Sequence, residues 1–225
     1  MIPPPALNIW EHSRQLRELC RRRAMGLEPE MDCAAQGAEI LSHFVDRRGM
    51  RLLDVGCGGG HLVHSLARIG IELDYYGLDY SPAMVGLARK ARRSLGLDPG
   101  RIILGDVRGL VGFECDLVAM INTLSFNPDF REPLDRLAGT GAKVMVIRDF
   151  FGPSTVVSWE RDGFLDEPHN HLKGYWNQWS TSEVASFMGD LGFNSTFVPD
   201  HRTMGRTEIV VGKPYIWSWL VAERA

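Results

Sequence analysis

From residue 51 onward, apolar residues fall into short, nearly unbroken runs separated by longer amphipathic stretches. Leu52–Val55, Tyr75–Asp79, Ile102–Leu104, Asp116–Ile121 and Val144–Ile147 are such runs. They lack the apolar–polar alternation of a half-solvated strand, so strands buried on both faces are predicted. Between them, Leu62, Leu66 and Ile69 recur at helical spacing. Ser81-Pro82 opens a second helix, with serine at the N-cap and proline at the first helical position, running to about Leu95 before Gly96. A third helix lies near Pro133–Leu137. Strands alternating with helices in this way predict a parallel sheet covered on both sides.

The two ends of the chain read differently. Ile9-Trp10, Leu16 and Leu19-Cys20 have helical spacing, Gly26 and Pro29 interrupt it, and Ala34–Phe44 resume it. We read residues 1–47 as an N-terminal helical cap on a domain spanning residues 48–225. Beyond residue 150, a helix over Thr181–Leu191 ends at Gly192. Phe193–Val198 and Tyr215–Val221 are then expected strands, forming an antiparallel C-terminal edge. The expected fold is α/β, a doubly wound, mainly parallel seven-stranded sheet.

Composition narrows the function classes. A chain of 225 residues with 44% hydrophobic content suits one globular domain and excludes intrinsic disorder. Twenty-five Lys plus Arg against 28 Asp plus Glu leave a formal charge of −3, which is not the overall footprint of a nucleic-acid binder. Cys20, Cys33, Cys57 and Cys115 form no Cys-x-x-Cys pair, so neither a zinc site nor a redox motif is expected. Met1-Ile2-Pro3-Pro4-Pro5 lacks a signal peptide's basic segment and apolar core, and no uncharged apolar run is long enough to span a membrane. A reduced, cytoplasmic, soluble protein is expected.

The strongest local signal is Asp54-Val55-Gly56-Cys57-Gly58-Gly59-Gly60-His61, between a strand and a helix. Glycines permit positive φ and let the backbone approach a ligand closely. A dinucleotide loop needs a glycine where His61 stands, and no Gly-Lys-[Ser/Thr] is present for a Walker loop. About 20 residues on, Asp79 ends the second strand, where a carboxylate can accept both hydroxyl protons of a ribose. The pattern Asp54, Gly56, Gly58, Gly60 resembles motif I of the class I S-adenosylmethionine-dependent methyltransferases. The resemblance extends over roughly residues 50–150 and implies a Rossmann-like methyltransferase fold with S-adenosyl-L-methionine as cofactor. It further implies that Asp54, Gly56, Cys57, Gly58 and Gly60 build the cofactor loop and that Asp79 holds the ribose. By the same likeness, Tyr80 and Met84 flank the adenine, Asp106 and Val107 bond its edge, and Asn122 lies beside the methionine moiety and the methyl group.

Candidates for acceptor chemistry lie further on. Arg148-Asp149-Phe150-Phe151-Gly152 is similar to a strand end in tRNA cytidine methyltransferases, and Gly174–Ser180 is loosely similar as well. His169 and His171 stand in an expected loop, where one could accept a proton or the pair could bind a metal, although no third ligand stands out and no metal is expected. Arg148, Asp149, His169 and His171 are therefore the candidate catalytic residues. His61 sits at the cofactor loop, and His64 is read as structural. Phe150, Phe151, Trp159, Tyr175, Trp176 and Trp179 either wall an acceptor pocket or pack the edge of the sheet. Trp10, His12 and Arg14 would cover the cofactor. The resulting expectation is direct in-line methyl transfer to oxygen or nitrogen of a small molecule, without a membrane partner and with the oligomeric state open. The alternatives are an RNA base methyltransferase with Arg21–Arg23, Arg89-Lys90 and Arg92-Arg93 as a phosphate track, a noncatalytic cofactor-binding subunit, and an NAD oxidoreductase.

Overall fold

The computed structural model describes residues 11–163 and 165–225; the N-terminal residues expected to be helical, Ile9 and Trp10 included, lie outside them. The fully apolar runs become the centre of the sheet. β1 (Arg51–Val55), β2 (Asp74–Asp79), β3 (Ile102–Leu104), β4 (Leu117–Ile121) and β5 (Val144–Gly152) form a parallel ladder in the order β3-β2-β1-β4-β5. β11 (Lys213–Arg224) runs antiparallel to β5, and β9 (Phe193–Pro199) runs antiparallel to β11. These seven strands match the expected topology and its antiparallel edge. β10 (Thr207–Val210) extends the sheet by a hairpin onto the first part of β11, and the two-residue β8 (Trp179–Ser180) pairs with the far end of β5, giving nine strands. β6 (Trp159–Arg161) and β7 (Lys173–Tyr175) form a separate hairpin.

Neighbouring side chains on each strand point to opposite faces, so each parallel strand contributes to two cores. Leu52, Leu117, Val144 and Val146 pack under α2 (Asp32–Ser42), α3 (Leu62–Arg68) and α4 (Pro82–Ser94). Leu53, Val118, Met145 and Ile147 pack under α5 (Arg131–Ala138) and α6 (Thr181–Asp190). α2 buries Ala38 and Leu41 completely and so belongs to the covering layer of the sheet. Within the expected cap over residues 1–47, α1 (Arg14–Ala24) buries Cys20 and Ala24 and packs against α4. No helix among the described residues is long and apolar enough to cross a membrane.

Parallel pairing aligns the strand C-termini. Val55 pairs with Leu78 on one side and with Met120 on the other. β1 leads outward to β2 and β3, whereas β4 and β5 lie on its opposite flank. The loops after β1 and β4 consequently diverge and leave a crevice at this topological switch point.

Candidate active site

The turn after β1 is built from backbone that only glycine adopts easily. Gly56 has φ +70°, and a Cβ there would lie 2.0 Å from Thr123 Oγ1, so both conformation and space exclude a side chain. The loop is fastened to β2 by Asp79, whose Oδ2 accepts from the Gly58 amide at 2.8 Å while its Oδ1 accepts from the Ser81 amide at 2.9 Å. Burial raises the Asp79 pKa, and these two amide bonds oppose the rise. Ser81 also caps α4 through Met84 N.

One cleft of about 260 Å³ opens over these strand ends. It brings together Gly56, Gly58, Asp79, Tyr80, Met84, Asp106, Val107 and Asn122 from the expected cofactor set. Asp54, Cys57 and Gly60 do not line it. Asp54 lies beneath the loop, 3% exposed, and accepts from Tyr75 Oη at 2.6 Å. Burial pushes its carboxyl up to about 7 against the effect of that bond. Cys57 is buried against Gly77, where a Cβ would come within 2.7 Å of its Sγ. At Asp106, burial works upward, but the bonds from Arg108 outweigh it and hold the carboxyl below its ordinary value.

Helix α1 closes the cleft beside the glycine loop with Cys20 and Arg23. The arginine run therefore divides: Arg21 pairs with Glu18 at 2.6 Å, Arg22 pairs with Glu28, and Arg23 faces the cleft. His61 lines the cleft as well, with a buried Nδ1 that has no partner. Burial, then the charge of Arg23, depresses its pKa to about 4.

Residues 46–151, which hold β1 to β4 and nearly all of β5, match the family model described as a methyltransferase domain. This segment, just under half of the chain, is similar to the class I S-adenosylmethionine-dependent methyltransferases. Over 125 residues the chain is 34% identical to trans-aconitate 2-methyltransferase of Rhodococcus jostii, covering 53% of this chain and 46% of that protein. Over 51 residues it is 43% identical to ubiquinone biosynthesis O-methyltransferase of Xanthomonas oryzae, covering 23% of this chain and 20% of that protein. The chain thus aligns with less than half the length of these curated relatives. Magnesium protoporphyrin IX methyltransferase from Synechocystis, solved with bound S-adenosylmethionine, shares the fold at a TM-score of 0.61, 19% identity and coverage of 99% of this chain and 100% of that one.

The expected catalytic residues do not line the cleft. Arg148 is 3% exposed; its Nε pairs with Asp200 at 2.7 Å, and its guanidinium lies 4.0 Å from the Trp217 ring centroid. Asp149 is fully buried and accepts from the amides of Ser125 and Phe150 at 3.0 and 2.8 Å. Its carboxylate, with Asn177 donating to the Asn127 carbonyl at 2.8 Å, pins the segment after β4 that floors the cleft. His171 is exposed, and His169 stacks on His12 at 4.1 Å between ring centroids. The neighbouring Asp166 accepts from the Arg14 amide at 2.6 Å, so this loop and the start of α1 fasten each other. Trp10 lies outside the described residues.

His64 bonds the Ala24 carbonyl at 3.0 Å and has the structural place expected of it. Phe150, Phe151, Trp176 and Trp179 are buried in packing clusters, whereas Trp159 and Tyr175 line the cleft. Sequence reasoning missed Met31, Phe126 and Asn127 as cleft residues and gave Arg23 a place only in the alternative phosphate track. The tertiary approach of α1 and of the β6–β7 hairpin brings distant segments to the strand ends, and no local spacing announces it.

Proposed function

We propose that the protein transfers a methyl group from S-adenosyl-L-methionine to a small-molecule acceptor. The observation that carries this reading is the convergence of the glycine turn, Asp79 and Asp106 on one cleft at the C-terminal edge of the sheet. The residues present fit the cofactor. Each Asp79 oxygen accepts one backbone amide, and a carboxylate oxygen has a second lone pair, which leaves capacity for two ribose hydroxyls. Tyr80, Met84 and Val107 would hold the adenine. Arg23 and the unpartnered His61 Nδ1 supply a cation and a polar atom beside the glycine turn for the methionine carboxylate.

When bound, the cofactor supplies an activated methyl on a sulfonium, and the protein's contribution is alignment. Holding acceptor and methyl carbon in line at ~3–3.5 Å can supply ~7–11 kcal/mol of rate acceleration. Asn122 and Thr123 would stand at the methyl, with Phe126, Trp159 and Tyr175 around the acceptor. The small acceptors in the names of the Rhodococcus and Xanthomonas relatives support this reading. The alternative RNA track is weakened in the fold: Arg92 is 8% exposed and donates to the Asp98 carbonyl, and Arg89 donates to the Ile102 carbonyl. The test is calorimetric titration with S-adenosylhomocysteine. We expect saturable one-to-one binding and a raised melting temperature; the absence of both binding heat and thermal protection would overturn the proposal.

A further inference from the structure

The acceptor end of the cleft differs in chemistry from the cofactor end. Its lining from the segment after β4 and from the β6–β7 hairpin includes Asn122, Thr123, Phe126, Asn127, Trp159 and Tyr175. None of these is a carboxylate or an imidazole. The acids of the cleft, Asp79 and Asp106, stand at the tips of β2 and β3, on the other side of the glycine turn.

Asn122 is held in one orientation from behind. It sits at the end of β4 with φ +56°, and Arg148 Nη1 donates to its Oδ1. Because a guanidinium only donates, the amide oxygen must be the atom turned toward it. The Nδ2 of Asn122 has no protein partner among the described residues and is left to the cleft. Arg148 is itself fixed by Asp200 and by the Trp217 ring. A positive-φ asparagine clamped by a buried ion pair thus turns its N–H donors, and not its amide oxygen, to the cleft.

From this arrangement we propose that the methyl acceptor is a carboxylate on a planar, apolar body, oriented by Asn122, with Arg148 as the positioning residue behind it. The proposal rests on the methyltransferase reading above and deepens it. A phenol or an ammonium must lose a proton before it can attack, and the acceptor end carries no base to take it. A carboxylate is already an anion at neutral pH. Its oxygen lone pair attacks the methyl carbon, the new C–O bond forms as the carbon–sulfur bond breaks, and the bonding electrons stay on sulfur. No proton moves, and the products are a methyl ester and a neutral thioether. His61, depressed to about 4, is a poor base for a phenol and lies by the glycine turn. The aromatic faces of Phe126, Trp159 and Tyr175 suit a flat body by stacking.

The test uses the full chain loaded with S-adenosylhomocysteine and a panel of aromatic and unsaturated carboxylates, the matching phenols, and the matching amines. We expect carboxylates alone to raise the melting temperature of the loaded protein. In turnover with S-adenosylmethionine they should give products that release methanol on alkaline hydrolysis. Asn122→Asp keeps an oxygen for Arg148 but turns an anionic oxygen to the cleft. It should weaken carboxylate binding by about 10- to 100-fold, the loss of one charge-assisted hydrogen bond, and by more than it changes S-adenosylhomocysteine affinity. Arg148→Lys keeps a cation for Asp200 but loses the fork that reaches Asn122. It should raise the acceptor KM at unaltered S-adenosylhomocysteine affinity, which also reports that the variant is folded. Methylation of phenols or amines in preference, no response to any carboxylate, or an Asn122→Asp defect confined to the cofactor analogue would overturn the acceptor assignment and leave the cofactor reading standing. Unchanged acceptor KM in folded Arg148→Lys would overturn the positioning role. Failure of the wild type to bind the analogue at all would remove both readings.

Discussion

At the scale of single residues, two carboxylates of the glycine turn divide support from contact. Asp79 lines the cleft, yet it also holds the Gly58 and Ser81 amides. Truncation to alanine removes the ribose acceptor and orphans both amides. We expect Asp79→Ala to weaken S-adenosylhomocysteine binding by about 1–3 kcal/mol and to lower stability by a similar amount; calorimetry and denaturant melts read the two separately. Asp54 lies deeper and away from the cleft, and it carries a pH signature. Its folded pKa, about 7, lies above the ordinary carboxylate value, so the folded state binds its proton more tightly than the unfolded chain does. The stability it contributes is complete below about pH 4 and is lost as pH rises to about 7, by up to roughly 4 kcal/mol for three units. Asp54→Asn, which still offers an oxygen to Tyr75, should remove this dependence. Other groups titrate in the opposite sense: His61, depressed by burial, loses stability as pH falls toward about 4. The informative quantity is therefore the difference between wild type and variant. A difference that stays constant from pH 4.5 to 7.5 would show that Asp54 is ionised throughout.

At the scale of elements, close approach decides more than propensity. Gly37 lies within α2, where alanine would ordinarily add up to about 1 kcal/mol of helix stability. A Cβ at this position, however, would come within 2.8 Å of the Trp219 ring and 3.2 Å of Ile121 Cδ1. Trp219 is fully buried and has no room to retreat. Overpacking of this kind costs about 1–3 kcal/mol, so Gly37→Ala should be net destabilising by about 1 kcal/mol in a urea melt; a stabilised variant would mean that α2 moves freely over the sheet. The same contrast explains what was legible. The five parallel strands are apolar on both faces, a pattern that few other elements produce, and their positions follow from it directly. The far half of β5 contains Arg148 and Asp149, yet all nine of its residues are buried, because Asp200 and the Ser125 amide supply partners from elsewhere in the chain. The likeness of this strand end suggested catalysis; its burial instead makes it a brace. β6, β7, β8 and β10 are two to four residues long and gain their pairing from tertiary position, so their own composition carries no comparable signal. At the cleft, the β1 to β4 tips were readable because each contributes from a fixed offset after a strand. Arg23 and Met31 were not, since they arrive from other segments.

At the scale of the whole molecule, the cleft joins parts of unequal stability. Its floor is the parallel sheet, in which β5 is buried from end to end. Its cover is α1, which buries only Cys20 and Ala24 and holds on by polar threads. Glu11 accepts from Ser81 Oγ at 3.1 Å, Ala24 accepts from His64, and the Arg14 amide donates to Asp166. A segment with so few buried apolar contacts opens at a small fraction of the global unfolding free energy. Yet α1 supplies Arg23 and Cys20 to the cleft, so a ligand seated there adds contacts that the open form lacks. Binding must then stabilise the closed cover by mass action, by about 2.7 kcal/mol at a ligand concentration 100 times Kd if the open form binds nothing. Amide hydrogen exchange over residues 11–24 should accordingly be fast in the free protein and slow by about 100-fold with saturating S-adenosylhomocysteine. Exchange in β4 and β5 should change only as much as global unfolding does. Protection confined to the glycine turn and the start of α4, with α1 unaltered at saturation, would separate the cover from cofactor binding and leave Arg23 outside the site.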